Sequence, residues 1–382
     1  MDENLKRKVN ESDDEYQIRL TLLKQSGMDI DWSEIAELVG DGRSSESYRK
    51  DSYGIRRFNN IKTSISDNET LIEIKKQKIQ LTDIRTNVNA KIRDLARTEN
   101  VIDLMKNEIK ELSNSKSFFN DYENISVGQN DMILCLGDWH YGIEINNAVN
   151  KYNTDICKER LNKLSDKVIQ YGKENNIDKL YIACLGDLVS GEIHNTIKLD
   201  NQESVAKQVI QVSEILAQLV NKLAKHFYCV LSIIQGNHDA IDMNKSDRLN
   251  RNNYTKLIKE IVRVRLKQLD TVLILDNEFN DGEVSCFNVK GLTVATCHGD
   301  KIDKLKAKQQ LEMVVGKPVQ LILYGHVHNP QHYEINETSV YVIGSLSGTD
   351  EYAMNRKLYT MPSQTILLVD DEGVKCSYDI KL

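Results

Sequence analysis

Five short apolar runs, each cut off by a cluster of glycine, aspartate, asparagine and histidine, constrain this chain more than any other feature. Met132–Leu136 runs into Gly137-Asp138-Trp139-His140, and Leu180–Leu185 into Gly186-Asp187. Val230–Ile234 leads to Gly236-Asn237-His238-Asp239, Val294–Cys297 to His298-Gly299-Asp300, and Leu321–Tyr324 to Gly325-His326-Val327-His328. The runs read as buried strands, with helical stretches over Lys158–Glu174 and Ser204–Lys225 between them. That alternation predicts an α/β domain with buried sheets. In such sheets, sites gather beyond the carboxyl ends of the strands. Five chain-distant clusters can therefore meet in one crevice.

The residue types in the clusters suit a cation. Five of the eight histidines (His140, His238, His298, His326 and His328) fall in them. Imidazole, carboxylate and amide carbonyl together favour manganese, iron, zinc or nickel over a thiolate-bound metal. The seven cysteines (Cys135, Cys157, Cys184, Cys229, Cys286, Cys297 and Cys376) are scattered and form no C-x-x-C pair. A disulfide framework or zinc-thiolate site is not expected, and a reducing cytoplasm is the expected setting. No apolar stretch approaches the roughly 20 residues needed to span a bilayer, so no membrane partner is expected.

The order Asp-x-His, Gly-Asp, Gly-Asn-His-Asp, His-Gly, Gly-His-x-His over about residues 130–350 resembles the calcineurin-like metallophosphoesterase superfamily. The nearest likeness is to the Mre11/SbcD-like DNA exonucleases. The resemblance implies a β-sandwich flanked by helices that binds two divalent ions, manganese first among the candidates. It implies that Asp138, His140 and His328 hold one ion, that Asn237, His298 and His326 hold the other, and that Asp187 bridges them. It gives His238 the role of catalytic imidazole, and it implies hydrolysis of a phosphate ester by metal-activated water. One position departs from the pattern. Relatives often carry an acid three residues after the bridging aspartate, where it orients the catalytic histidine, and here that residue is Ser190. His194 is a candidate to replace it or to touch substrate. Asp239 is a further candidate for an orienting or substrate role.

The N-terminal part lies outside that resemblance. Residues 1–60 read as a small all-α domain. Ile18, Leu22 and Leu23 give the first helix an apolar face. Asp31 with Glu34 forms a capping box for a second helix, which Gly40 ends. Ser44 or Ser45 caps a third, bearing Ser47, Tyr48, Arg49 and Lys50. The pattern is helix-turn-helix-like, and those four residues are the candidate DNA contacts. Residues 1–42 hold five Lys/Arg against eleven Asp/Glu, whereas 43–97 hold thirteen against seven, so the basic excess begins at that third helix. The net charge of -7 argues against a globally basic nucleic-acid binder but leaves room for a local basic face.

Residues 61–115 lack Pro and Gly and repeat apolar positions from Ile74 to Leu112 at steps of mostly three, four or seven. They predict a long amphipathic helix or coiled coil, with a homodimer as one outcome. Residues 116–129 read as a linker, and 130–382 as the phosphoesterase domain. A DNA-reading module tethered to such a domain points to a DNA nuclease of phage or mobile-element type. A phosphatase or phosphodiesterase acting on nucleotides or phosphoproteins is the alternative. A DNA-binding assembly factor with a regulatory metal domain is a third reading. Lys301, Lys304, Lys306 and Lys308, with Arg356 and Lys357, are candidates to steer a polyanion, though the lysine run also fits a solvated helix face.

Overall fold

Ser12 opens the first helix, α1 (Asp13–Gln25), through a capping box with Glu15. Asp31 and Glu34 do the same for α2 (Trp32–Val39), and Gly40 closes it in the left-handed conformation. Ser44 then leads into α3, helical over 45–60, its carbonyl accepting the N–H groups of Ser47 and Tyr48. The computed structural model describes residues 3–60, 72–89 apart from 74 and 87, the single positions 103 and 118, and then 128–193, 200–241, 252–355 and 357–382. The chain divides into two units, Met1–Arg97 and Thr98–Leu382.

In the first unit Tyr16, Leu20, Ile30, Ile35, Val39 and Tyr48 form the core. Sequence periodicity placed the buried face of α1 on Ile18, Leu22 and Leu23. The structure instead buries Tyr16, Gln17, Leu20 and Thr21 and leaves Ile18 exposed. The reason is a polar network that makes burial of Gln17 favourable. Gln17 donates to Asp51, Arg43 donates back to Gln17 and Asp41, and the Tyr48 hydroxyl donates to Asp41 at 2.6 Å. Tyr48 is thus a core residue joining α3 to the α2–α3 turn, so its side chain is not available as a DNA contact. Most of 61–115 lies outside the described residues. Within it, residues 75–86 are helical and exposed.

The second unit is a sandwich of two six-stranded sheets. The first has the order β14-β13-β1-β4-β5-β6. It comprises β1 (Asp131–Leu136), β4 (Lys179–Leu185), β5 (Tyr228–Ile234) and β6 (Val272–Ile274), all parallel, with β13 (Ser363–Asp370) and β14 (Gly373–Lys381) added antiparallel. The second has the order β11-β12-β10-β9-β8-β7. Its centre is β9 (Leu292–Cys297), β10 (Leu321–Tyr324) and β12 (Thr338–Val342), again parallel. β8 (Val284–Val289) continues the sheet beyond β9, and the edges are β11 (Gln331–Ile335) and β7 (Glu278–Phe279). A small hairpin, β2 (Ile145–Asn146) and β3 (Lys151–Tyr152), stands apart.

Side-chain alternation along each strand builds the layers. Ile133, Cys135, Tyr181, Ala183 and Leu185 face Val294, Leu321, Leu323 and Ile343 between the sheets. Met132, Leu134, Leu136, Leu180, Ile182 and Cys184 point the other way, into helices α4 (Thr154–Glu174), α5 (Val205–Ala224) and α6 (Thr255–Leu266). Ala295, Cys297, Ile322 and Tyr324 pack outward against α7 (Ala307–Val315). Parallel strands covered on both faces explain the near-continuous apolar runs in the sequence. Six of the seven cysteines are buried among these layers, and none forms a disulfide. Phe118, the one described residue of the 116–129 stretch besides Gly128 and Gln129, packs on this core with the Arg265 guanidinium 4.7 Å from its ring. No helix among the described residues is long and apolar enough to cross a membrane.

Candidate metal centre

All five clusters follow parallel strands and meet at their carboxyl ends, as expected for sites in open sheets. Sheet one supplies Asp138 after β1, Asp187 after β4, and Asn237 and His238 after β5. Sheet two supplies His298 after β9, and His326 and His328 after β10. Close backbone approach makes this convergence possible. A Cβ on Gly236 would fall 2.1 Å from Asp187 Oδ1, and one on Gly325 would fall 2.6 Å from Asp138 Oδ2. Asp138, His140, Asp187, His326 and His328 all adopt positive φ, between 46° and 65°. Non-glycine residues hold that conformation at a cost of order 1–3 kcal/mol each, and such residues cluster at functional sites.

Two groups of donor atoms result, and a third set, His140, Asp187 and His238, overlaps both. Asp138, His140 and His328 present ligand atoms within 4.8 Å of one another, and so do Asp187, His298 and His326. Within the first group, His140 Nε2 lies 3.1 Å from His328 Nε2, which is 3.4 Å from Asp138 Oδ1. Within the second, His298 Nε2 lies 3.1 Å from Asp187 Oδ2 and 3.1 Å from Asn237 Oδ1. Asp187 Oδ2 also stands 3.9 Å from His140 Nε2, so this carboxylate reaches both groups. The sequence therefore picked out a set of seven residues that the fold brings together.

The donor set fits cations. His298 Nδ1 donates to the carbonyl of Leu185 at 2.8 Å, which turns Nε2 toward two acceptor oxygens. Lone pairs facing lone pairs at 3.1 Å need a proton or a metal between them. Among the described residues, the basic groups within 4.0 Å of the Asp138 and Asp187 carboxylates are histidines. Burial opposes ionisation of Asp187, but His298, His238 and His140 outweigh it and hold its pKa well below the carboxylate range. Burial and the nearby His238 hold His140 well below the usual imidazole value, in the neutral form that ligates metals. For His298, burial is outweighed by Asp187, which lifts the ring to about 10. A divalent cation binding there must displace that proton.

His238 stands beside the first group, its ring edge-on to His140 with centroids 4.5 Å apart. Its backbone N–H donates to Asp187 Oδ1 at 2.8 Å, and its Nδ1 donates to the carbonyl of Ser190 at 2.8 Å. Asp239 is fully buried and orients the loops. Its carboxylate accepts from the N–H groups of Asp187 (3.0 Å), Gly236 (2.8 Å) and Val189 (3.4 Å). Burial and the charge on Asp187 push its pKa up to about 6. His194 and Arg356 lie outside the described residues.

Sequence reasoning missed the braces around the ligands. The Ser345 hydroxyl donates to the Asp138 carbonyl at 2.9 Å. Gln364 of β13 accepts from Gly137 N–H at 2.9 Å and donates to the carbonyls of Gly137 and Gly344. Nothing in the pattern around Ser345 or Gln364 marks either role. Three of the four lysines in the run have other partners: Lys301 pairs with Glu283, Lys304 donates to Gln331 over the Tyr333 ring, and Lys308 donates to the Asn336 carbonyl.

Comparison with known proteins places the chain in a family. Residues 163–361, more than half of the chain, match the model of the calcineurin-like phosphoesterase superfamily domain. That span takes in Asp187 and every later cluster and begins after Asp138 and His140. An uncharacterised SPbeta prophage-derived protein of Bacillus subtilis, YonJ, is 24% identical over 91% of this chain and 91% of its own. Among solved structures, Entamoeba histolytica Vps29 complexed with zinc covers 66% of this chain and 98% of its own at 14% identity and TM-score 0.33. An archaeal phosphodiesterase covers 66% of this chain and 99% of its own at 13% identity and TM-score 0.33. The chain belongs to the calcineurin-like phosphoesterase superfamily and is a hydrolase of phosphate ester bonds.

Proposed function

We propose that this chain is a two-metal phosphodiesterase that cuts DNA in the life cycle of a phage or mobile element. The observation that carries the two-metal reading is the sharing of Asp187 between two groups of ligands. Asp138, His140, His328 and Asp187 would hold one cation, and Asp187, Asn237, His298 and His326 the other. Two bound cations supply an activated water and charge neutralisation for in-line displacement at phosphorus. The chain's own contribution beyond the ligands is His238. Its Nδ1 is engaged by Ser190, which leaves Nε2 to protonate the leaving oxygen as general acid. The nitrogen- and oxygen-rich ligand set supports manganese, with iron, zinc or nickel as substitutes.

Support for DNA comes from the first unit. Once Tyr48 and Ser52 are buried, α3 presents Arg49, Lys50, Tyr53, Arg56 and Arg57 to solvent. A basic helix face carrying a tyrosine suits phosphate and base contacts after a helix-turn-helix-like α2–α3 pair. The match to a prophage-derived relative spans 91% of both chains and supports a phage setting. A homodimer would cover the apolar positions Leu81, Ile84 and Val88, which are 67%, 58% and 48% exposed. The commitment of Lys301, Lys304 and Lys308 to other partners favours a second reading, hydrolysis of a small nucleotide ester, because it leaves fewer cations near the site for a long polyanion.

A manganese-supplemented assay separates the two. The DNA reading expects cleavage of plasmid or single-stranded DNA that EDTA abolishes and that His238→Ala lowers by roughly 10²–10⁴-fold. Intact DNA alongside hydrolysis of bis-p-nitrophenyl phosphate would leave the small-ester reading in its place.

A further inference from the structure

We infer that the Ser190–Gly191 peptide, clamped by Gln208 and Asn201, orients His238 in place of an acidic side chain at position 190. The inference rests on the general-acid role given to His238 above. Position 190, where the resemblance implies an orienting acid, is serine. Here the Ser190 hydroxyl is buried and hydrogen-bonds to nothing among the described residues, while the Ser190 carbonyl accepts from His238 Nδ1 at 2.8 Å. The backbone, not the side chain, makes the contact. A carbonyl only accepts, so this hydrogen bond places a proton on Nδ1.

A carbonyl can fix a ring only if the peptide itself is fixed, and this one is held directly at the Gly191 N–H and through the two peptides that flank it. Ser190 N–H donates to the Tyr141 carbonyl at 3.0 Å. Gly191 N–H donates to Gln208 Oε1 at 3.0 Å, and the Gly191 carbonyl accepts from Asn201 Nδ2 at 2.7 Å. Gln208 is fully buried on α5, and its amide donates to the Glu203 carbonyl at 3.0 Å, which fixes which end of the amide faces Gly191. Gly191 has φ +66°, and a Cβ there would strike the His238 carbonyl at 2.2 Å, so the peptide seats directly against the histidine it orients. Gln208 also packs on Gly142, where a Cβ would lie 2.5 Å from it, two residues beyond His140. Gln208 and Asn201 are positioning residues, because they act through the peptide.

The test uses full-length, zinc-loaded protein with Gln208→Leu, Asn201→Ala and His238→Ala. Nitrophenolate leaves without a proton, whereas the alkoxide of a dinucleotide needs one. Gln208→Leu is expected to lower kcat on a dinucleotide by roughly 10–100-fold, a part of what a general acid supplies. KM should stay within about twofold, and bis-p-nitrophenyl phosphate hydrolysis should fall less than about threefold, since neither depends on proton donation. Added to His238→Ala, the substitution should cost nothing more. The second readout is independent of turnover. ¹⁵N NMR of the histidine rings should show His238 protonated at Nδ1 in the parent, and a mixture of tautomers in Gln208→Leu. If Gln208→Leu fails to fold, Asn201→Ala, at a partly exposed position, should show the same two signatures at smaller amplitude. Equal loss on both esters, or an unchanged tautomer in the variants, overturns the inference. A parent protein that cleaves neither diester but shows the clamp-dependent tautomer sinks the proposed substrate and leaves the positioning intact.

Discussion

The backbone N–H of His238 donates to Oδ1 of Asp187 at 2.8 Å. One oxygen of that carboxylate therefore locks two strand-end loops together, while the other, 3.1 Å from His298 Nε2 and 3.9 Å from His140 Nε2, serves both ligand groups. Asp187→Asn should keep the size and the amide-to-carboxylate geometry but remove the charge. The expected outcome is a drop from two metals per chain to one or fewer by mass spectrometry, with hydrolysis down by roughly a thousandfold or more, about 4 kcal/mol of barrier. Two retained metals with near-normal turnover would remove Asp187 from the bridging role.

Metal should also act on stability. The ligands sit on five separate strand ends across both sheets. A cation that binds only the folded arrangement stabilises by about 2.7 kcal/mol at a hundred times its Kd. Manganese should therefore raise the Tm of the second unit in calorimetry, and EDTA should reverse the gain together with all ester hydrolysis. An unchanged Tm at saturating manganese would argue that the ligand groups are not preformed for metal.

Proton release should accompany binding. His298 holds its proton to about 10 because Asp187 outweighs the effect of burial, and its Nε2, the candidate ligand atom, lies 3.1 Å from Asp187 Oδ2. The metal-free form keeps that proton below pH 10, and the metal-bound form cannot, so affinity should rise with pH through the neutral range. Titration calorimetry in two buffers of different ionisation enthalpy should show heats that differ by the buffer term, with protons released on the protein side. Equal heats in both buffers would contradict this account.

The catalytic unit was unusually legible because its chemistry sits where two signals coincide. Buried parallel strands leave continuous apolar runs, and the residues that follow them are the candidate ligands: β1, β4, β5, β9 and β10 all start and stop within a few residues of the apolar runs seen in sequence. The edge strand β11 was harder to see, since it alternates partly buried and exposed side chains and contains Gln331, His332 and Glu334. The braces escaped entirely. Gln208, Gln364 and Ser345 work through single hydrogen bonds to backbone atoms far away in sequence, and no local pattern encodes such a partner. In the first unit, the caps at Asp31 and Gly40 were readable, yet the face of α1 was not. Hydrophobic periodicity cannot anticipate that Gln17 will be buried by a partner as distant as Asp51.

The same unit gives a prediction that separates folding from binding. Tyr48 and Lys50 are two residues apart on α3 and face opposite ways: Tyr48 is fully buried with its hydroxyl on Asp41, and Lys50 is exposed. Tyr48→Ala removes a large core ring, for which aromatic-to-alanine changes cost about 3–5 kcal/mol, enough to melt a unit with so small a core. Lys50→Ala with Arg57→Ala removes two exposed cations and should leave the helical circular dichroism and Tm of the unit unchanged. If α3 lies on DNA, the double variant should weaken binding at every sequence tested and flatten the salt dependence by about two phosphate contacts. Hydrolysis of bis-p-nitrophenyl phosphate should stay at the parent level, because the candidate metal ligands all belong to the second unit. Removing residues 1–60 should repeat that pattern at larger amplitude, with DNA cleavage lost far more than ester hydrolysis. Equal loss on both substrates in the deletion, or an unaltered salt slope in the double variant, would take the DNA role away from α3.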